Sequence, residues 1–172
     1  SSDGSKELIK KKLSKKVDKL IFHSKNMGKG AAIISSSKFV KGDLVLIQDA
    51  DLEYNPKDYY KLTKPFLKKN TKVVYGSRVL GRKKKINFLN IKKFSQNFRI
   101  FGNFVLTQFS NLVNDQSLTD VHTCYKIFRK KIFLKKKLKE KGFSFCPEVT
   151  TKLSNISCPI IEVPINYNGR EI

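Results

Sequence analysis

The chain has 172 residues, of which 40% are hydrophobic, so it is long enough for one domain with a core of its own. Its formal net charge is +22, which favours partners that carry phosphate, such as nucleotides, nucleic acid or anionic lipid. The 3 Cys residues are too scattered for a CxxC metal site or a disulfide framework, and no apolar run reaches the ~20 residues needed to span a bilayer.

The first forty residues are predicted to form a helix, a strand and a second helix. Asp3-Gly-Ser5 is a turn that caps a helix over residues 6–16, whose apolar residues recur on one face. Residues 17–23 are predicted to form a strand. A Gly-rich turn at 26–30 then opens a helix through Phe39, and its glycines are expected to allow tight packing of that helix on a sheet.

Three carboxylates follow a short aliphatic strand, residues 44–47, which suits the middle of a parallel sheet covered on both faces. Asp49, Asp51 and Glu53 come at the carboxyl end of this strand, where open α/β sheets bind ligands. Asp49 and Asp51 point the same way in an extended chain, and the small Ala50 between them lets a bulky ligand approach the backbone. Oxygen ligands so close together suit Mg²⁺ or Mn²⁺, an interpretation that we prefer to a solvated acidic turn.

The next elements are predicted to bring an arginine to the same edge of the sheet. A helix begins at Asn55-Pro56 and continues to Lys69, with Pro65 expected to bend it or end it early. Residues 71–75 form a strand, and Arg78 follows it. A guanidinium there has the fork of donors that holds phosphate oxygens, although an ordinary surface arginine explains the local pattern equally well.

A basic and Phe-rich stretch comes next. Residues 59–114 contain 13 Lys and Arg and no Asp or Glu. Within this stretch apolar residues recur at spacings of three and four, as in an amphipathic helix, and they are Phe94, Phe98, Phe101, Val105, Phe109 and Leu112. Such a stripe belongs most often to the core, but its basic surroundings also suit a helix that lies against anionic lipid headgroups.

The last third of the chain contributes two acids and a final arginine. Asp120 stands just before a buried run. Glu148 is near the start of a short helix, where the helix dipole favours a carboxylate. Arg170 lies in the turn after the last strand. The predicted elements are a strand at 124–128, helices at 130–141 and ending near 153, and an edge strand at 160–167.

Seven blocks, in order along the chain, resemble the family 2 glycosyltransferases of the dolichyl-phosphate or polyprenyl-phosphate sugar synthase type. They are Asp3-Gly-Ser5, Asn26-Met-Gly-Lys-Gly30, Gln48-Asp-Ala-Asp-Leu-Glu-Tyr-Asn-Pro56, Val74-Tyr-Gly-Ser-Arg78, Leu118-Thr-Asp120 with Cys124-Tyr-Lys-Ile-Phe-Arg129, Gly142-Phe143 with Pro147-Glu148, and Glu162-Val-Pro-Ile165 with Gly169-Arg170. The resemblance implies a GT-A fold, which is an α/β architecture with a mostly parallel, Rossmann-like sheet flanked by helices. It also implies one domain over 1–172, incomplete at both ends, with a nucleotide-sugar-binding half at 1–80 and an acceptor-side half at 81–172.

The resemblance also assigns roles to the donor-side residues. In that family the acids that match Asp3, Asp49 and Asp51 contact the nucleotide sugar. The metal is held through the positions of Asp51 and Glu53, and arginines at the positions of Arg78 and Arg170 bind phosphates of the donor or the acceptor.

The acceptor decides whether the reaction needs a base. A lipid phosphate is already anionic and needs none, whereas a sugar hydroxyl must lose a proton to a carboxylate. Asp120 is then the first candidate for the catalytic base and Glu148 the second.

The expected function is inverting transfer of a hexose, of the mannose or glucose type, from a nucleotide diphosphate sugar to a polyprenyl or dolichyl phosphate. The expected cofactor is Mg²⁺ or Mn²⁺. The expected location is the cytoplasm, peripheral at the cytoplasmic face of the membrane. An anionic membrane surface is an expected partner, and nucleic acid is not. The alternatives are a transferase that acts on a saccharide or protein hydroxyl and a non-enzymatic basic nucleic-acid-binding protein.

Overall fold

The structure, a computed structural model, describes residues 4–82, 94–135 and 137–169, apart from the side chains of 94–97. Its helices and strands are α1 (Ser5–Leu13), α2 (Lys29–Ser37), β1 (Leu44–Ile47), α3 (Tyr59–Thr63), β2 (Val73–Ser77), α4 (Phe94–Asn114), β3 (Lys126–Arg129), α5 (Lys130–Lys135), α6 (Phe145–Ser154) and β4 (Ile160–Pro164). The chain divides into two compact units, residues 1–41 with 137–145 and residues 42–136 with 146–172.

In the smaller unit, the Gly-rich turn before α2 packs against the segment 140–142. The backbone N–H groups of Gly30 and Ala31 donate to carbonyl oxygens of that segment, at 3.3 and 3.0 Å. A Cβ on Gly30 would overlap another carbonyl oxygen there, so two backbones approach more closely than any other residue allows. The glycines therefore permit tight packing of α2, here against a loop.

The strand predicted over residues 17–23 is wrong. The structure gives this segment no regular secondary structure, and α1 ends at Leu13 rather than at residue 16. Among the described residues the sheet contains four strands, and none of them pairs with 17–23. A strand exists through its ladder of hydrogen bonds to a neighbour, so an apolar run without a neighbour does not form one.

The larger unit is organised around a sheet with the strand order β1-β3-β2-β4. β3 pairs antiparallel with both β1 and β2, while β2 pairs parallel with β4. The predicted α/β class with flanking helices is confirmed, but the described sheet is mixed rather than mostly parallel. β1 also lies at an edge of that sheet rather than in its middle, with only its last residue, Ile47, fully buried.

The antiparallel pairing of β3 explains this difference. Lys126, the first residue of β3, pairs with Ile47 at the end of β1 and with Tyr75 near the end of β2. The chain therefore returns to the carboxyl edge of the sheet before β3 begins, and β3 must run in the opposite direction. An aliphatic run of four residues has the same appearance in either arrangement.

Most other predicted elements are present with shifted boundaries. The helix after Asn55 is interrupted as expected, because α3 ends at Thr63 and a 3₁₀ helix over Lys64–Leu67 contains Pro65. The strand at 124–128 is β3 at Lys126–Arg129, and the helix at 130–141 is the shorter α5. β4 lies at the other edge of the described sheet, as its proline predicted.

The interpretation of the α4 stripe as core is wrong. Phe98 is 66% exposed and Leu112 is 82% exposed, and the other described members of the stripe are exposed too. α4 instead buries polar residues, among which Thr107 is 1% exposed. The spacing of the stripe predicted the helix correctly, but the spacing alone does not determine which face the rest of the fold covers.

Candidate functional site

The acidic segment turns sharply after β1. Leu52 has a φ of 64°, a left-handed conformation that is uncommon for a branched residue. Beside it, Oδ1 of Asp51 accepts a hydrogen bond from the N–H of Glu53 at 3.2 Å, which closes the turn. The carboxylates therefore stand at a partly open edge of the sheet, with Asp49, Asp51 and Glu53 half-buried and Ala50 exposed.

Arg78, directly after β2, forms a two-pronged ion pair with Asp120. Nε donates to Oδ2 at 2.7 Å and Nη2 donates to Oδ1 at 2.8 Å, while the backbone N–H of Arg78 also donates to Oδ2 at 3.0 Å. The two side chains are 16% and 3% exposed, so Arg78 is not an ordinary surface arginine. Burial lowers the pKa of Arg78, but the hydrogen bonds and charge of Asp120 outweigh it, so the pKa lies above its ordinary value.

The loop that carries Asp120 is fastened to β4 and to β2. Glu162 in β4 accepts the backbone N–H of Thr119 at 2.7 Å and that of Asp120 at 3.0 Å. The hydroxyls of Thr119 and Ser77 lie 2.6 Å apart, and Ser77 is the last residue of β2. Asp120 therefore meets Arg78 through a loop whose backbone is held from two strands.

Tyr167 joins the acidic segment to the arginine. Its hydroxyl donates to Oε2 of Glu53 at 2.7 Å, and the Arg78 guanidinium carbon lies 5.2 Å from the centre of its ring. Burial and the Glu53 carboxylate raise the pKa of Tyr167, so the phenol keeps the proton that it donates. The structure thus links Glu53, Arg78 and Asp120 through one ring.

Tyr54 forms the inner wall beside this ring. Its ring centre is 5.2 Å from that of Tyr167, and its hydroxyl accepts the backbone N–H of Cys124 at 3.0 Å. Asp58, which is also buried, accepts the N–H of Asn166 at 2.6 Å and so holds the segment before Tyr167. These contacts give the aromatic bridge a fixed position.

The remaining predicted site residues are not part of this cluster. Glu148 lies in the first turn of α6 and pairs with Lys152 at 2.6 Å, as a carboxylate near a helix N-terminus does. Asp3 and Arg170 lie outside the described residues. The roles assigned to all the predicted site residues stay predictions.

The donor set is compatible with a hard divalent cation that a ligand helps to hold. In the described part of the chain, no three His, Cys, Asp or Glu side chains form a group that could hold a metal ion. Mg²⁺ commonly takes one or two carboxylates and completes its shell with substrate phosphates and water. Asp51 and Glu53, with Asp49 beside them, supply oxygen ligands only, which suits that kind of site.

Three supporting residues were given no role by sequence reasoning, namely Glu162, Tyr167 and Lys126. Lys126 is buried, and its ammonium donates to the carbonyl oxygens of Val121 and Thr123, next to the Asp120 loop. A charged residue inside the apolar run predicted as a strand over 124–128 was the available signal, because a buried lysine needs partners. Nothing comparable marked Tyr167, since its contacts join parts of the chain that are far apart in sequence.

The fold is that of the GT-A class, because the chain is similar in structure to solved GT-A glycosyltransferases. The solved structures to which the chain is similar include the glucosyl-3-phosphoglycerate synthase of Mycobacterium tuberculosis, with a TM-score of 0.61 at 15% identity over 84% of this chain and 47% of that one. The same enzyme in complex with Mn²⁺, UDP-glucose and phosphoglyceric acid gives a TM-score of 0.59 at 15% identity over 84% and 48% of the two chains. At this identity the likeness establishes the fold.

The chain belongs to glycosyl transferase family 2, whose family model matches residues 1–135. Among curated relatives, it is 28% identical over 150 residues to the UDP-N-acetylglucosamine–dolichyl-phosphate N-acetylglucosaminyltransferase of Methanococcus voltae, covering 84% of this chain and 57% of the relative. It is 23% identical over 152 residues to the low-salt glycan biosynthesis hexosyltransferase Agl6 of Haloferax volcanii, covering 88% and 35%. The chain therefore spans about half of the first relative's length and about a third of the second's.

Proposed function

We propose that this family 2 glycosyltransferase moves a hexose from a nucleotide diphosphate sugar to a polyprenyl or dolichyl phosphate at the cytoplasmic face of a membrane. The observation that carries the proposal is the contact of Tyr167 with both Glu53 and Arg78. It brings an oxygen-ligand segment and a fixed cation to one edge of the sheet, as a diphosphate requires. The Methanococcus relative, by its name, uses a UDP-sugar and dolichyl phosphate, which supports this choice of substrates.

The chemistry follows from the charge that develops on the leaving group. A phosphate oxygen of the acceptor attacks the anomeric carbon, the bond from that carbon to the diphosphate oxygen breaks, and its electron pair leaves with the nucleoside diphosphate. Negative charge grows on the diphosphate, so Arg78, held by Asp120, lowers the barrier if it faces that group. Asp51 and Glu53, with Asp49 nearby, would hold Mg²⁺ or Mn²⁺, which would supply further charge neutralisation. Attack in line with the leaving group predicts inversion at the anomeric carbon.

The surroundings of Asp120 favour a phosphate acceptor over a hydroxyl acceptor. Both of its carboxylate oxygens accept hydrogen bonds from Arg78. A general base must instead direct an oxygen at the proton that it removes. Asp120 is therefore better suited to orient Arg78, and an acceptor that is already anionic needs no base. Glu148 is likewise paired with a lysine.

The test combines donor binding with transfer. Asp51→Ala is compared with Asp43→Ala, which removes an exposed acid at the opposite end of the same strand. Calorimetric titration with a panel of nucleotide diphosphate sugars, with and without Mn²⁺, identifies the donor. Transfer to a polyprenyl phosphate is then measured, and the anomeric configuration of the product is read by NMR.

We expect Asp51→Ala to abolish the Mn²⁺-dependent part of donor binding and to slow transfer by a factor on the order of a hundred, since one such contact is worth about 3 kcal/mol in a transition state. Asp43→Ala should transfer at the unaltered rate. If Asp51→Ala and Asp43→Ala transferred sugar at equal rates, the role proposed for the acidic segment would be refuted. A bell-shaped pH profile that depends on Asp120 would favour a hydroxyl acceptor instead.

A further inference from the structure

α4 exposes its apolar side and packs its polar side against the rest of the fold. Its exposed side carries large apolar side chains, which are Phe98, Phe101, Phe104, Val105, Leu106, Phe109, Leu112 and Val113. Its covered side carries polar residues, with Thr107, Ser110 and Asn114 all buried. A contiguous apolar face of this kind on the surface of a folded domain marks a region that interacts with something else.

Specific hydrogen bonds hold α4 in this orientation. The side chain of Asn111 donates to the carbonyl oxygen of Leu118 at 2.8 Å and accepts its N–H at 3.0 Å. Thr107 accepts the N–H of Val121 at 3.4 Å, and the carbonyl oxygen of Asn114 accepts the hydroxyl of Ser154. Rotation of α4 to cover its apolar face would break these bonds, so the exposure of that face is built into the fold.

The same hydrogen bonds connect α4 to the candidate site. Leu118 and Val121 lie on either side of the loop residue Asp120, which holds Arg78. The helix that exposes the apolar face therefore also supports the loop of the ion pair. No helix in the described residues is long and apolar enough to cross a bilayer.

We propose that the apolar face of α4 docks on the surface of an anionic lipid bilayer. Charge supports this occupant, because the sequence from 59 to 114 has 13 Lys and Arg and no acid, and Arg99 on α4 is exposed. A second copy of the chain would bring two such acid-free regions together, at a cost from like charges. The choice of lipid over protein also rests on the proposed function, since a polyprenyl phosphate acceptor resides in a membrane.

Tryptophan substitution provides the test, because the chain contains no Trp. Phe98→Trp reports from the apolar face of α4. Leu67→Trp is the matched control, since Leu67 is 85% exposed and belongs to a different element of the same unit. Each variant is mixed with vesicles of phosphatidylcholine alone or of phosphatidylcholine with phosphatidylglycerol. We expect a blue shift of emission for Phe98→Trp with the anionic vesicles and none for Leu67→Trp.

A second pair of variants measures the strength of docking. Phe98→Ser with Leu112→Ser should lower partition onto the anionic vesicles by about a hundredfold, at roughly tenfold for each buried apolar side chain. Leu67→Ser should leave partition within about twofold, because Leu67 belongs to a different element and not to the apolar face of α4. All these positions are exposed, so the melting temperature of each variant should match that of the unaltered chain.

Two results would overturn the proposal. One is equal partition of the α4 variant and the Leu67→Ser control, which would mean that dispersed lysines bind the vesicles. The other is a blue shift of Phe98→Trp without vesicles that grows with protein concentration, which would identify a second copy as the occupant. Partition onto vesicles is measured without the nucleotide-sugar donor and without the polyprenyl phosphate acceptor. Normal docking without transfer would therefore count against the proposed function alone, and transfer without docking against this proposal alone.

Discussion

Replacement of Asp120 by Asn tests the ion pair at the centre of the site. The variant keeps the size of the side chain but removes the charge opposite the Arg78 guanidinium. Asp120 is 3% exposed and Arg78 is 16% exposed, so the change leaves a mostly buried cation without its counter-charge. Removing one partner of a buried pair costs about 3–5 kcal/mol, and the residual exposure of Arg78 places the expected loss near the lower end, at about 3 kcal/mol.

Urea unfolding followed by tyrosine fluorescence measures this loss. The chain has 6 Tyr and no Trp, and every Tyr lies within residues 42–136 or 146–172, so the signal reports on the unit that contains the ion pair. Asp43→Asn is the control, because it makes the same change at an exposed position before β1. It should change the free energy of unfolding by under about 0.5 kcal/mol, since no buried charge loses a partner. A loss for Asp120→Asn no larger than that of Asp43→Asn would refute the reasoning.

Two further predictions concern pH and backbone packing. Burial lowers the pKa of His122, so its neutral form contributes stability that is fully present above the unfolded pKa of ~6.5 and is lost as the pH falls through the folded value. The melting temperature of His122→Gln should therefore fall less than that of the unaltered chain between about pH 7 and pH 5. A Cβ on Gly81 would overlap the carbonyl oxygen of Ile165, so Gly81→Ala should lower the free energy of unfolding by about 1–3 kcal/mol. Gly102→Ala has open space in α4 and should raise it by about 0.5–1 kcal/mol, so equal effects of the two alanines would contradict the packing argument.

Sequence patterns predicted the elements whose formation depends on residues close together in the chain. The Asn55-Pro56 start and the interruption at Pro65 were both found, because a proline acts through its own ring and its missing N–H. The spacing of Phe98, Phe101 and Val105 predicted α4 for a similar reason, since periodicity is a property of the segment itself. The side of the fold toward which the apolar face of α4 turns cannot be predicted from the helix sequence alone. It depends on the hydrogen bonds between α4 and the loop after it.

The candidate site likewise has one part that the sequence predicted and one part that it did not. The Asp-Ala-Asp-Leu-Glu segment at the end of β1 and Arg78 at the end of β2 could be placed on one edge from the sequence, because strand ends predict that edge. The pairing of Arg78 with Asp120 could not, since it joins residues that are 42 positions apart through a loop held by β4.

By itself the sequence determined the family, the α/β class, and the acids and arginine that come to the sheet edge, because short motifs and hydrophobic periods carry that information. Only the tertiary structure decided the mixed pairing of the sheet, the role of Tyr167 as the bridge from Glu53 to Arg78, and the outward direction of the apolar face of α4. These features are set by contacts between distant segments, and such contacts form only when the whole chain has found its packing.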